Sequence, residues 1–138
     1  MDRGVIEQKL EILISVLGRM TDKWPGDADT LTRDFDAQDI VSLNFTRAVQ
    51  LCVDVATELI TSREIPVPDT MGQAFDALAE AGLIEAALAS RLKKAVGFRN
   101  LAIHNYDAID WHIVHNLCRH HLDDFRDFAA RILNLENL

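Results

Sequence analysis

The sequence predicts an all-α protein, an up-down bundle of about five helices forming one domain over residues 1–138. Three observations carry this prediction. Ala, Leu, Ile, Asp, Glu and Arg dominate the composition, a set that favours helix over strand, and only three prolines and six glycines interrupt them. Apolar residues recur at steps of three and four, the period of one helical face, rather than alternating as in a half-buried strand. The breaks between periodic segments are short, which makes successive helices antiparallel neighbours.

The first helix is expected over roughly residues 3 to 20, where Ile6, Leu10, Leu13, Leu17 and Met20 share a face. Ile12, Ile14 and Val16 widen that face and predict neighbours on more than one side. Pro25-Gly26 and scattered aspartates mark a loop. Asp36 is the expected N-cap of a long second helix, with Asp39 in its first turn favoured by the helix dipole. Val41, Phe45, Ala48, Cys52, Val55 and Leu59 line this helix to about Ser62. Pro66 and Pro68 forbid helix and make a turn. Asp69 or Thr70 then caps a short third helix ending near Gly82, a suitable residue beyond a helix end. The fourth covers roughly residues 83 to 102. Asp107 is the expected cap of a fifth, with Val114, Cys118, Phe125, Phe128 and Ile132 as its apolar row. The broad apolar faces predict that another subunit covers part of the surface.

Composition narrows function. The net charge is −8, which argues against broad, non-specific nucleic-acid binding. One patch runs against that balance: "RLKKAVGFR", residues 91–99, holds Arg91, Lys93, Lys94 and Arg99 with no acid. No apolar run is long enough to span a membrane, and the charged N-terminal segment reads as a helix rather than a signal peptide. Cys52 and Cys118 stand alone in apolar contexts, as small buried side chains suited to a reducing cytoplasm. His112 and His115 share a face, but no carboxylate or third histidine completes it, so no metal site is assigned. His121 falls on the apolar row and reads as a packed or interface residue.

The informative stretch is "FRNLAIHNYDAID", residues 98–110. Arg99 continues the row of Leu88, Leu92 and Ala95, so a charge replaces an apolar residue at a helix end and needs an acceptor. Within a continuous helix His104, five residues on, points about 140° away from Arg99. A helix ending near residue 102 lets His104 turn back, with Tyr106 flanking the same pocket. Arg offers a planar fork of donors for a phosphate, and His moves protons near neutrality. Asn100 can hold either group. Together they suit RNA cleavage by the ribose 2′-hydroxyl, with Arg offsetting the developing charge. The same spacing also suits an Arg99–Asp54 ion pair and a His104 cap on helix carbonyls. For Asp54, within "LCVDVA", two readings stand: a solvated edge with Arg47 and Glu58, or an acid that orients Arg99.

Arg99-Asn100-Leu101-Ala102-Ile103-His104-Asn105-Tyr106 resembles the Arg-x-x-x-x-His-x-Tyr motif of the HepT toxins, a branch of the HEPN ribonuclease superfamily. The resemblance covers essentially the whole chain, through Cys52 to Asp54, the proline turn, "LKKAVGFRNLAIHNY" and "HHLDDFRDF". It implies a compact helical fold that forms a homodimer, with both motifs in one cleft at the two-fold axis. It implies metal-independent RNA cleavage with Arg99 and His104 as the catalytic pair and Asn100 at the position where a polar residue is usual; no cofactor is expected, and Asp54 is the supporting acid on the second of its two readings. It also implies a partner, the minimal nucleotidyltransferase antitoxin MntA, which silences the toxin by adding AMP to Tyr106. Arg91, Lys93 and Lys94, doubled in a dimer, are then the attraction for RNA. A rival reading from another class is a non-catalytic helical protein that binds a minimal nucleotidyltransferase or nucleotides.

Overall fold

In the computed structural model, which describes residues 3–135, seven α-helices and one short 3-10 turn carry the chain, with no strand among the described residues. The helices are α1 (Arg3–Lys23), α2 (Ala28–Arg33), α3 (Phe35–Ser62), α4 (Met71–Glu80), α5 (Ala86–His104), α6 (Trp111–His120) and α7 (Leu122–Leu133). The long pair α1 and α3 form the most extensive contact. Helices α4 and α5 close one side of α3, α7 bridges α1 and α5, and α6 leans on α2.

The helices form where their apolar rows predict. Ile6, Leu10, Leu13, Leu17 and Met20 of α1 are buried, as are Val41, Phe45, Ala48, Cys52, Val55 and Leu59 of α3. Phe45 sits edge-on to both Phe98 and Phe125, joining α3, α5 and α7. Ile12 and Ile14, expected to widen the buried face of α1, are 40% and 48% exposed, and only Val16 joins the core.

Boundaries depart from expectation at several places, each for a local reason. Asp34, not Asp36, caps α3: its carboxylate accepts from the Ala37 N–H at 3.0 Å, which leaves Asp36 in the first turn. The aspartate-rich loop contains α2, started by Asp27, whose carboxylate takes the Asp29 N–H and the Thr30 hydroxyl. The cap of α6 is Asp110 rather than Asp107. Asp107 lies in the 3-10 turn Tyr106–Ala108, and the chain uses the next residues to bury Ile109 before helix resumes. The predicted fifth helix is two, broken at His121 (φ −123°, ψ 0°). His121 is consequently exposed, with Nδ1 3.4 Å from Asp124, and is not a packed residue. The third helix forms as predicted: Thr70 accepts from the Gln73 N–H, while Gln73 reaches back to the Asp69 N–H.

Candidate active site at the end of α5

Helix α5 places the predicted residues. It does not stop near 102; it runs through His104 and ends at Asn105, whose N–H bonds the Leu101 carbonyl at 2.8 Å. Nothing in "LAIH" breaks a helix, so the expected turn-back of His104 towards Arg99 does not occur. Within one protomer the two side chains leave α5 about 140° apart. Arg99 is partly buried and faces α3, whereas His104 is exposed at the helix end.

Arg99 is held on two sides. One Nη donates to the Asn100 side-chain oxygen at 3.0 Å and the other to Gln50 Oε1 on α3 at 3.2 Å. Gln50 in turn donates to Asp54 Oδ1 at 2.9 Å, and Lys9 of α1 lies 3.7 Å from the other Asp54 oxygen. Asp54 is therefore linked to Arg99 through Gln50 rather than paired with it directly. Sequence reasoning missed Gln50, although it lies one helical turn before Asp54, where such a relay belongs. Arg99 Nε is buried without a hydrogen-bond partner. An unsatisfied buried donor costs about 1–3 kcal/mol.

Tyr106 sits two residues beyond His104, the last residue of α5, half-buried, its ring edge-on to Trp111. Its hydroxyl donates to Asp39 Oδ1 on α3 at 2.6 Å. Burial first, and then the bond to Asp39, raise the phenol above its ordinary value of 10, while the Ser42 hydroxyl acts on it in the opposite sense. Asp39 is 67 residues away in sequence, and no local pattern announces the contact.

The basic patch is less free than its sequence indicates. Arg91 bonds Asp124 and Lys93 bonds Asp76, each at 2.8 Å. Lys94 has no acidic partner among the described residues. Arg91 and Lys94 rim a largely apolar cleft of about 210 Å³ floored by Phe45, Ala95 and Phe125, about one turn of α5 before Arg99. On α6, His115 Nδ1 accepts from the Trp24 indole at 3.1 Å, and its ring packs against Trp24. Among the described residues no three His, Cys, Asp or Glu gather in a metal-binding group. Both cysteines are free, and burial pushes the Cys118 thiol up to about 12. No described helix is long and apolar enough to cross a membrane.

A helical bundle that presents Arg99, His104 and a tethered Tyr106 at the end of one helix has counterparts among known ribonucleases. Residues 3–132 match the family described as Ribonuclease HepT-like, and the chain belongs to that family. It is 37% identical over 103 residues to the mRNA nuclease HepT of Shewanella oneidensis, covering 75% of this chain and 77% of that protein. Its fold matches the tri-AMPylated HEPN toxin of Shewanella oneidensis, solved in complex with MNT antitoxin, with a TM-score of 0.91 and 32% identity over 98% of this chain and 100% of the other. It also matches a toxin–antitoxin structure containing AMP-PNP, with a TM-score of 0.92 and 30% identity over 96% of this chain and all of the other. The chain is a ribonuclease of the toxin type.

Proposed function

We propose that this ribonuclease toxin cleaves RNA without a metal ion through Arg99 and His104 of two paired protomers, and is silenced when a minimal nucleotidyltransferase antitoxin adds AMP to Tyr106. The supporting observation is the guanidinium of Arg99. Asn100 and the Gln50–Asp54 relay hold it from behind, and it keeps N–H donors uncommitted. That is the posture of a phosphate clamp prepared before substrate arrives.

Homodimerisation is part of the reading. His104 and Arg99 diverge on one helix, so pairing across a two-fold axis supplies the cleft that a single protomer does not. A surface suited to a second copy flanks the motif. Phe35 (73% exposed) and Leu43 (59%) lie one turn either side of Asp39 on α3, and Ile103 (47%) adjoins His104. In the cleft, a His104 imidazole accepts the proton of a ribose 2′-hydroxyl. That oxygen attacks the adjacent phosphorus, the 5′-oxygen leaves with a proton, and a 2′,3′-cyclic phosphate remains. Lys94 adds attraction for the RNA backbone, and Arg91 and Lys93 add to it to the extent that RNA displaces their acidic partners. The antitoxin partner is supported by the two matched toxin–antitoxin structures, and AMP as the silencing group by the AMPylated state of the Shewanella toxin. The two free, buried thiols support a cytoplasmic setting.

The test is expression of the wild type beside His104→Ala and Arg99→Ala, scored for growth arrest and for RNA cleavage in EDTA. Full activity in EDTA is expected for the wild type. His104→Ala is expected to be inactive, and Arg99→Ala to lose about 10²–10³ in rate, the scale of one lost transition-state donor. Activity that vanishes in EDTA and returns with magnesium excludes this mechanism. Tyr106→Phe is expected to remain active and to escape silencing by a co-expressed antitoxin.

A further inference from the structure

Tyr106 presents a phenol whose surroundings go beyond simple exposure to a modifying enzyme. It is the only tyrosine in the chain. Its hydroxyl proton points at Asp39 Oδ1, 2.6 Å away, a short bond of the kind a carboxylate makes with an O–H donor. Asp39 is itself exposed on α3, and Ser42, one turn along and 5% exposed, lies against the same phenol oxygen. Trp111 holds the ring from the side. The hydroxyl is thus held with its proton committed to one acceptor. Asp39 is not needed as a cap, because Asp34 already caps α3 and Asp36 already occupies its first turn.

We propose that Asp39 is the general base for adenylylation of Tyr106, so that the toxin supplies part of the catalytic machinery of its own silencing. The inference rests on the reading of Tyr106 as the AMP acceptor. In the step, the phenol oxygen attacks the α-phosphorus of a nucleoside triphosphate held by the antitoxin. The new bond is Tyr106 Oη–Pα, the bond broken is that from Pα to the bridging oxygen, and pyrophosphate leaves. The phenol proton passes to the Asp39 carboxylate along the existing hydrogen bond. Ser42 supports the phenolate character that develops on the oxygen. A phenol that ionises only above 10 is a weak nucleophile at neutral pH, and a carboxylate that removes its proton during attack overcomes that weakness. The bond also makes silencing specific to the folded toxin, since only the fold brings Asp39 and Tyr106 together.

The test measures AMP transfer by an MNT-type antitoxin with ATP and magnesium, followed by intact mass and peptide mapping, for wild type, Asp39→Asn and Asp39→Glu from pH 6 to 10. Asp39 is exposed, so the variants are expected to fold, and circular dichroism with thermal melting checks this. Loss of a general base is expected to slow transfer to Tyr106 by about 10²–10⁴-fold at neutral pH in Asp39→Asn. The deficit should shrink as pH rises and phenolate forms unaided, and Asp39→Glu should recover much of the rate. A purely structural tether instead predicts a deficit that is constant across pH. That result, or Asp39→Asn modified at the wild-type rate, overturns the proposal. If wild type takes no AMP at Tyr106, the reading of Tyr106 as acceptor fails, and the role of Asp39 falls with it.

Discussion

Tyr106 shows how one side chain's chemistry is set by its neighbours. Burial and the Asp39 carboxylate both favour the neutral phenol, so its proton is held more tightly in the folded chain than in the unfolded one. Stability from this source is fully present below pH 10, the unfolded value, and is lost as pH rises through the higher folded value. Because the chain has a single tyrosine, phenolate absorbance near 295 nm reads this group alone. The titration midpoint is expected above 10 in the native protein. It should fall towards 10 in Asp39→Asn, stopping short because burial remains. A native midpoint at or below 10 contradicts the contact. Arg99 follows the same logic with opposite demands: its charge stays, so its acceptors Asn100, Gln50 and, behind them, Asp54 must be built in.

At the scale of elements, helix ends decide where functional residues stand. The end of α4 needs Gly82, whose φ of +77° lies in the left-handed region, and the turn it makes directs the chain into α5. A Cβ there meets no atom within 4 Å, so the cost of Gly82→Ala is backbone strain alone, about 1–2 kcal/mol. Gly18, exposed in the middle of α1, also has open space around it but helical dihedrals. Gly18→Ala is expected to stabilise by about 0.5–1 kcal/mol. Urea unfolding of the two variants should give shifts of opposite sign; shifts of the same sign contradict this account. Beyond Gly97, α5 meets no glycine and no proline before Asn105, and for that reason the helix runs two residues, about half a turn, past a stop at residue 102 and carries His104 with it.

For the whole molecule, the packed face and the exposed face of α3 serve different purposes. Its inner row, centred on Phe45, ties α5 and α7 to α3 and fixes the base of α5. Its outer stripe of Phe35, Asp39 and Leu43 runs past Tyr106 and remains open in the protomer. An isologous pairing through Phe35 and Leu43, with Asp39 and Tyr106 left at the open mouth of the cleft, follows from the proposed function. Sedimentation equilibrium is expected to give a dimer at micromolar concentration. Leu43→Glu places a charge in the proposed interface and should shift the protein towards monomer and reduce RNA cleavage in parallel. A wild-type monomer at that concentration, or a Leu43→Glu dimer of unchanged affinity, counts against the shared cleft.

Helical class, the main apolar rows, the proline turn, the Thr70 cap and the Gly82 stop were all legible in the residues themselves, because each depends on contacts within one turn or on a face that repeats every three or four positions. The motif Arg99, Asn100, His104 and Tyr106 was legible for the same reason, as a break in an apolar row followed by polar residues at close spacing. What surrounds those residues was not. The neutralisation of Arg91 and Lys93 by Asp124 and Asp76, the Gln50 relay from Asp54 to Arg99, and the bond from Tyr106 to Asp39 all join different helices. Such contacts depend on how the rows pack and at what rotation each helix meets its neighbour, a property of the assembled core that no spacing along one helix encodes. The sequence by itself determined which groups the chemistry has available; the tertiary structure decided which are already spoken for, which are held ready, and which acid stands beside the phenol.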